Sequence, residues 1–153
     1  MAILSPGTPL FTVGVTTFNR REMLRECLRS ISLQTFPNYE VIIGNDCLED
    51  QISLDQLGTF DSRFRIINHK ENLGEASNMN WLLNQGCGEY FLWMADDDSM
   101  HPEFLSRISH ALSRRDSNPP AAVYTDFDRG DEHLKFAVSD DAFLSGNDYS
   151  LIE

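Results

Sequence analysis

Positive charge is what this sequence has least of. Only 12 lysines and arginines stand against 24 aspartates and glutamates, for a net charge of −12 over 153 residues. Gripping a nucleic-acid backbone takes a basic surface that neutralises phosphates, so the balance argues against a nucleic-acid partner. Cysteine is scarce too: Cys27, Cys47 and Cys87 are odd in number, far apart and without metal-ligand spacing. They read as the reduced thiols of a cytoplasmic protein. No apolar run approaches the roughly 18 residues that a membrane span requires. The opening MAILSPGTPL lacks a basic start and is broken by Pro6, Gly7 and Pro9, so a secretory leader is not expected. Peripheral attachment at the inner face of a membrane stays open, because a partner or a further segment could supply it. Internal repeats and low-complexity tracts are absent. The length, with 41% hydrophobic and 24% charged residues, suits one domain with its own core, spanning 1–153.

What is present is an alternation of two periodicities. Leu10 to Phe18 is β-branched and aromatic and predicts a buried strand. Asn19 with Glu22 three residues on predicts a helix cap. The helix behind it, to about Gln34, turns Leu24, Cys27, Leu28 and Ile31 inward and leaves Arg20, Arg21, Arg25 and Arg29 outside. Tyr39 to Gly44 and Phe64 to Asn68 predict further strands, with a short helix at 54–60 between them. A helix from Glu75 to Asn84 is expected to carry Met79, Leu82 and Leu83 inward. Tyr90 to Ala95 predicts a fourth strand, Pro102 to Arg115 a helix, and Ala121 to Thr125 a fifth strand. Beyond Asp126 the pattern weakens to a turn at 128–131 and a short strand at 134–138. Strands alternating with helices imply βαβ units, a mostly parallel sheet and a Rossmann-like α/β/α three-layer fold.

In such sheets ligands gather at the carboxyl ends of the strands. Thr17, Asn19, Asn45, Asp46 and the run Asp96, Asp97, Asp98 all fall just past strand ends. Consecutive carboxylates repel one another, and burying them ionised demands compensation. A divalent cation is one answer, since Mg²⁺ and Mn²⁺ prefer hard oxygen ligands and hold a substrate's phosphates at the same time. A solvated acidic turn is the bland alternative; the apolar strand leading in and the helix start at Pro102 favour the site.

Four blocks together resemble the catalytic domain of the family 2 glycosyltransferases, which have the GT-A fold. They are VGVTTFNRREMLRECLRSISLQTFPNYEVIIGND, ENLGEASNMNWLLNQGCGEYF, the DDD run and the strand AVYTD, spanning Leu10 to Val138. The resemblance implies transfer of a sugar, with inversion, from a nucleotide-diphospho-sugar to a saccharide or lipid-linked acceptor, using Mn²⁺ or Mg²⁺. Carried over by position, Thr17 and Asn19 meet the nucleoside and Asp46 the base, uracil by preference. Asn72, Gly74 and Asn78 belong to the donor block. Asp96 and Asp98 make the metal pair, Asp96 also lying near the ribose, and Asp97 is grouped with the donor contacts. Plainer readings stand beside these: Thr17 as a strand threonine, Asn19 as a cap, Asp46 as the start of an Asx turn, Gly74 as a positive-φ turn residue, Asn78 on an exposed helix face. The four histidines read as surface or capping residues, and Trp81 and Trp93 as core.

The sequence also departs from the family pattern. Ala95 replaces an acid at the head of the cluster, and Met79 replaces a basic residue of the Asn-x-Gly block. The family's general base lies in an acceptor-binding half that would follow about where this chain stops, and nothing marks Asp126 or Asp128 as that base. The expectation is therefore a donor-binding half that binds nucleotide but transfers little sugar. A non-catalytic nucleotide-sugar-binding module is the rival of another class. A sugar nucleotidyltransferase ranks lower, because Thr16 to Arg21 carries no glycine to wrap a triphosphate.

Overall fold

A computed structural model describes residues 7–58 and 61–113. The fifth strand expected at 121–125, the turn and strand beyond it, and Asp126 and Asp128 lie outside the described residues. Four strands, β1 (Phe11–Thr17), β2 (Tyr39–Asn45), β3 (Phe64–Asn68) and β4 (Tyr90–Ala95), form one sheet in the order β3-β2-β1-β4. Every pairing is parallel. The helices are α1 (Arg21–Ser32), α2 (Glu75–Gln85) and α3 (Phe104–Ser113), with a single 3-10 turn at Asp55–Leu57 where a short helix was expected.

Alternation along the strands divides the side chains between two faces. Phe11, Val13 and Val15 of β1, with Val41 and Ile43 of β2, join Leu24, Leu28 and Ile31 of α1 and Leu105 and Ile108 of α3 in one buried core. On the opposite face, Gly14 lies beneath Leu82 of α2 and Phe91 of β4. The result is the three-layer arrangement expected. Gln34, buried past the end of α1, ties the layers together on the first side. Its amide donates to the His101 carbonyl at 2.6 Å and accepts the Leu105 N–H at 2.9 Å, satisfying a donor in the first turn of α3.

Several local expectations are corrected. Asn19 does not cap α1: it adopts φ 54, a left-handed conformation that asparagine tolerates, and the helix starts two residues later. Arg20 occupies the cap position without a side-chain capping bond. In α2, Leu82 is buried as expected, but Leu83 is exposed and Met79 only half-buried. Asn78 takes the inward place one turn before Leu82. Polar as it is, Asn78 can go inside because its Nδ2 donates to the Gly44 carbonyl at 2.9 Å and its Oδ1 faces His69 Nε2 at 3.1 Å. His69 is accordingly buried, not on the surface, with its ring edge-on to Trp81. Trp93 is not core: it is half-exposed and anchored by a 3.2 Å bond to the Met79 carbonyl.

Gly44 makes the Asn78 contact feasible. A Cβ there would lie 2.2 Å from Asn78 Oδ1, an atom held against His69 Nε2. Gly44→Ala should therefore cost about 1–3 kcal/mol as an overpacked site. Leu28→Ala, in a fully buried position of α1, should cost about 2–5 kcal/mol. Urea unfolding of both variants checks this; a Gly44→Ala protein as stable as wild type would mean that the Asn78 amide is not fixed against β2.

Candidate functional site

Parallel register brings the strand ends level. Thr17 stands opposite Asn45, Asn45 opposite Asn68, and Thr16 opposite Ala95. The next residue along each strand therefore emerges on the same edge: Phe18, Asp46, His69 and Asp96. The backbone continues the pairing one step further, with the Asp46 N–H on the Thr17 carbonyl and the His69 N–H on the Asn45 carbonyl, both at 3.0 Å. Asn45 is wholly buried and structural. Its amide bonds the Asp50 carbonyl, Asn68 Oδ1 and the Cys47 N–H, stitching the loop after β2 to β3.

A cavity of about 360 Å³ opens at this edge, lined by Thr16, Thr17, Phe18, Arg20, Asp46, Asn72, Gly74, Glu75, Asn78, Ala95 and Asp96. Of the residues expected at the site it brings together Thr17, Asp46, Asn72, Gly74, Asn78 and Asp96. Asn19, Asp97 and Asp98 do not line it; all three are exposed beside it.

Asp96 is the most constrained of the acids. Its carboxylate is almost entirely buried, one oxygen accepting the Thr17 hydroxyl at 2.6 Å and the other lying 3.3 Å from Arg20 Nη1. The same guanidinium nitrogen reaches Asp97 at 3.1 Å. Asp98 closes the turn through its backbone N–H on the Ala95 carbonyl at 3.2 Å, leaving its side chain in solvent. Beneath the cluster, the Cys27 thiol of α1 sits 3.6 Å from the Ala95 carbonyl oxygen. Burial, and then the charges of Asp96, Asp98 and Asp97, push that thiol up to about 12.

Asp46 organises the other side. Its two carboxylate oxygens accept the Leu73 N–H at 3.0 Å and the Gly74 N–H at 2.8 Å, and Asn72 Oδ1 shares the Gly74 N–H at 2.9 Å. Gly74 holds φ +76, which fits glycine at this bend into α2. The loop from β3 to α2 is thereby folded back over the end of β2.

Five lining residues are not among those expected at the site: Thr16, Phe18, Arg20, Glu75 and Ala95. Arg20 was expected outside with the other α1 arginines. It precedes the helix, and the left-handed turn at Asn19 aims it along the strand ends. The available signal was its place between a strand end and a helix start.

Among known proteins, residues 12–142 match the profile of the family described as glycosyl transferase family 2. An uncharacterised glycosyltransferase of Haemophilus influenzae is 34% identical over 110 residues, 71% of this chain and 34% of that protein. One from Rickettsia typhi is 29% identical over 136 residues, 88% of this chain and 42% of that protein. The crystal structure of Staphylococcus aureus TarS 1–349 in complex with UDP superposes with a TM-score of 0.61 at 28% identity, over 68% of this chain and 32% of that one. TarS 1–349 with UDP-GlcNAc superposes equally well, at a TM-score of 0.61. The chain thus spans less than half the length of each of these relatives. Its parallel sheet between helix layers, with acids at the carboxyl edge, is that of the GT-A glycosyltransferases, and the chain belongs to glycosyl transferase family 2.

Proposed function

We propose that this chain binds the nucleotide-sugar donor of a glycosyltransferase, with a UDP-sugar as the donor and a saccharide or other hydroxyl compound as the acceptor. The observation that carries the reading is the cavity where the ends of β1, β2 and β4 converge, with Thr17, Asp46 and Asp96 fixed in its wall. The TarS structures with UDP and UDP-GlcNAc, at 28% identity, support the choice of uridine. Transfer would invert the anomeric centre, the acceptor hydroxyl displacing the diphosphate in one step.

The acids suit a divalent cation in kind, as hard oxygen ligands. Among the described residues no three His, Cys, Asp or Glu side chains converge to cage an ion. Mg²⁺ and Mn²⁺ do not require such a cage where carboxylates, waters and substrate phosphates share the coordination shell. Asp96 and Asp98 are the pair we assign to that role, and the bound ion would offset charge growing on the leaving diphosphate. The remaining work belongs to the chain itself. Thr17 holds the Asp96 carboxylate in one orientation, and Asp46 fixes the loop 72–74 as a wall beside the base. Phe18, half-exposed at the rim, offers an apolar surface.

Calorimetric titration of UDP with Mn²⁺ and again with EDTA tests the reading directly. Binding that needs the metal is expected; a folded protein that binds UDP in neither condition, nor GDP or dTDP, would overturn it. Asp98→Ala should abolish metal-dependent UDP binding with an unchanged melting temperature, because the side chain is exposed. A sharp drop in melting temperature would instead make the cluster structural. Asp46→Ala leaves the Leu73 N–H without its acceptor and the Gly74 N–H with Asn72 Oδ1 alone, so it should cost about 1–3 kcal/mol of stability and weaken UDP as well. An unaltered UDP affinity would remove the 72–74 loop from the site.

A further inference from the structure

Arg20 is the sole basic residue lining the cavity among the described residues. Its backbone is fixed at the start of α1, where its carbonyl accepts the Leu24 N–H at 2.9 Å. Its side chain is not fixed in the same way, being 52% exposed. One nitrogen, Nη1, serves both Asp96 Oδ1 at 3.3 Å and Asp97 Oδ2 at 3.1 Å. Among the described residues Nε and Nη2 make no hydrogen bond, so most of a fork built for paired acceptors is idle. The guanidinium therefore acts here as a counter-charge, held by long, solvent-screened contacts that are individually weak.

We infer that Arg20 is an internal counter-ion that exchanges partners when donor binds, a role that rests on the donor-binding reading above. In the free protein it neutralises Asp96 and Asp97. A divalent cation arriving at Asp96 meets a positive charge already beside that carboxylate, and two cations there repel. A diphosphate arriving with the cation relieves the conflict, because its oxygens accept the guanidinium fork bidentately. Arg20 then leaves Asp96 to the metal and closes on the phosphates. The same residue opposes the metal alone and favours the metal with nucleotide. Exchange of this kind keeps the acidic cluster neutralised when empty and makes cation and nucleotide bind together.

The test is two titrations, Mn²⁺ alone and UDP at saturating Mn²⁺, on wild type, Arg20→Gln and Arg20→Lys. The Gln variant should bind Mn²⁺ alone about threefold more tightly and UDP about tenfold more weakly. The Lys variant keeps the charge without the fork. Its Mn²⁺ affinity should stay at the wild-type value while only part of the UDP affinity returns. Affinities that move in the same direction, or that do not move, would make Arg20 a structural residue and overturn the exchange. If the Gln variant does not fold, the Lys variant carries the test through its unequal effect on the two ligands. Failure of wild type to bind UDP at all would remove the donor site and this role together. Wild-type binding that the variants leave intact would remove only the role of Arg20.

Discussion

The 2.6 Å hydrogen bond from the Thr17 hydroxyl to the Asp96 carboxylate joins the ends of β1 and β4, and much of the site is arranged around it. A nearly buried carboxylate needs partners in place. Thr17 supplies one from the neighbouring strand, and Arg20 a second from the turn that leads into α1. Hydrogen bonds to an ionised group are among the stronger ones in a fold, so this contact also sets how far the two strand ends can drift apart. The compensation is local and incomplete. Cys27, on the helix below, still senses the negative field of all three aspartates.

Parallel connectivity explains why the polar groups meet at one edge. Each crossover returns the chain to the same end of the sheet, so every βα turn leaves from the carboxyl side. Residue-for-residue register then aligns the exits, and Asp46 and Asp96 lie one step past the paired ends of β2 and β4. Asp46 uses that position to bind two loop amides, and Asn45 and Asn68 use theirs to close the loop between β2 and β3. Two loops are thus held by side chains from the strand ends themselves. Such a wall is preorganised before any ligand arrives, which lowers the ordering cost of binding.

Strands β1 to β4, α1 and the carboxyl-edge position of Thr17, Asp46 and Asp96 are legible in the sequence because each rests on local pattern: β-branched runs, a 3–4 apolar spacing, acids after a strand. The errors share a different origin. Asn78 faces inward only because Gly44, more than thirty residues earlier, has no side chain to block it. His69 is buried only because Asn78 awaits it. Neither partnership has a period to read. The spacing of Asn19 to Glu22 fits a cap, yet Glu22 pairs with Arg25 and Asn19 supplies a left-handed turn. That turn brings Arg20, exposed as expected, to the rim of the site. The resemblance to a family reached further than periodicity for Asn72 and Gly74, whose roles depend on a loop folding back over β2.

Charge balance links the cavity to the composition of the whole chain. Among the described residues its lining holds Asp46, Glu75 and Asp96 against Arg20 alone, in a protein of net charge −12. A diphosphate entering such a space adds negative charge to a surface already short of positive charge, and long-range attraction opposes rather than assists its approach. Short-range cations must therefore do what the overall field does not. Arg20 supplies one such charge, but it is already engaged by Asp96 and Asp97, and moving it to a phosphate would strip those carboxylates of their partner. On the proposed reading, a second cation brought in with the nucleotide would resolve both demands at once. The acids would keep a positive neighbour, the phosphates would gain two, and neither ligand would be well served alone. The shortage of basic residues would then be the condition that makes nucleotide binding depend on metal.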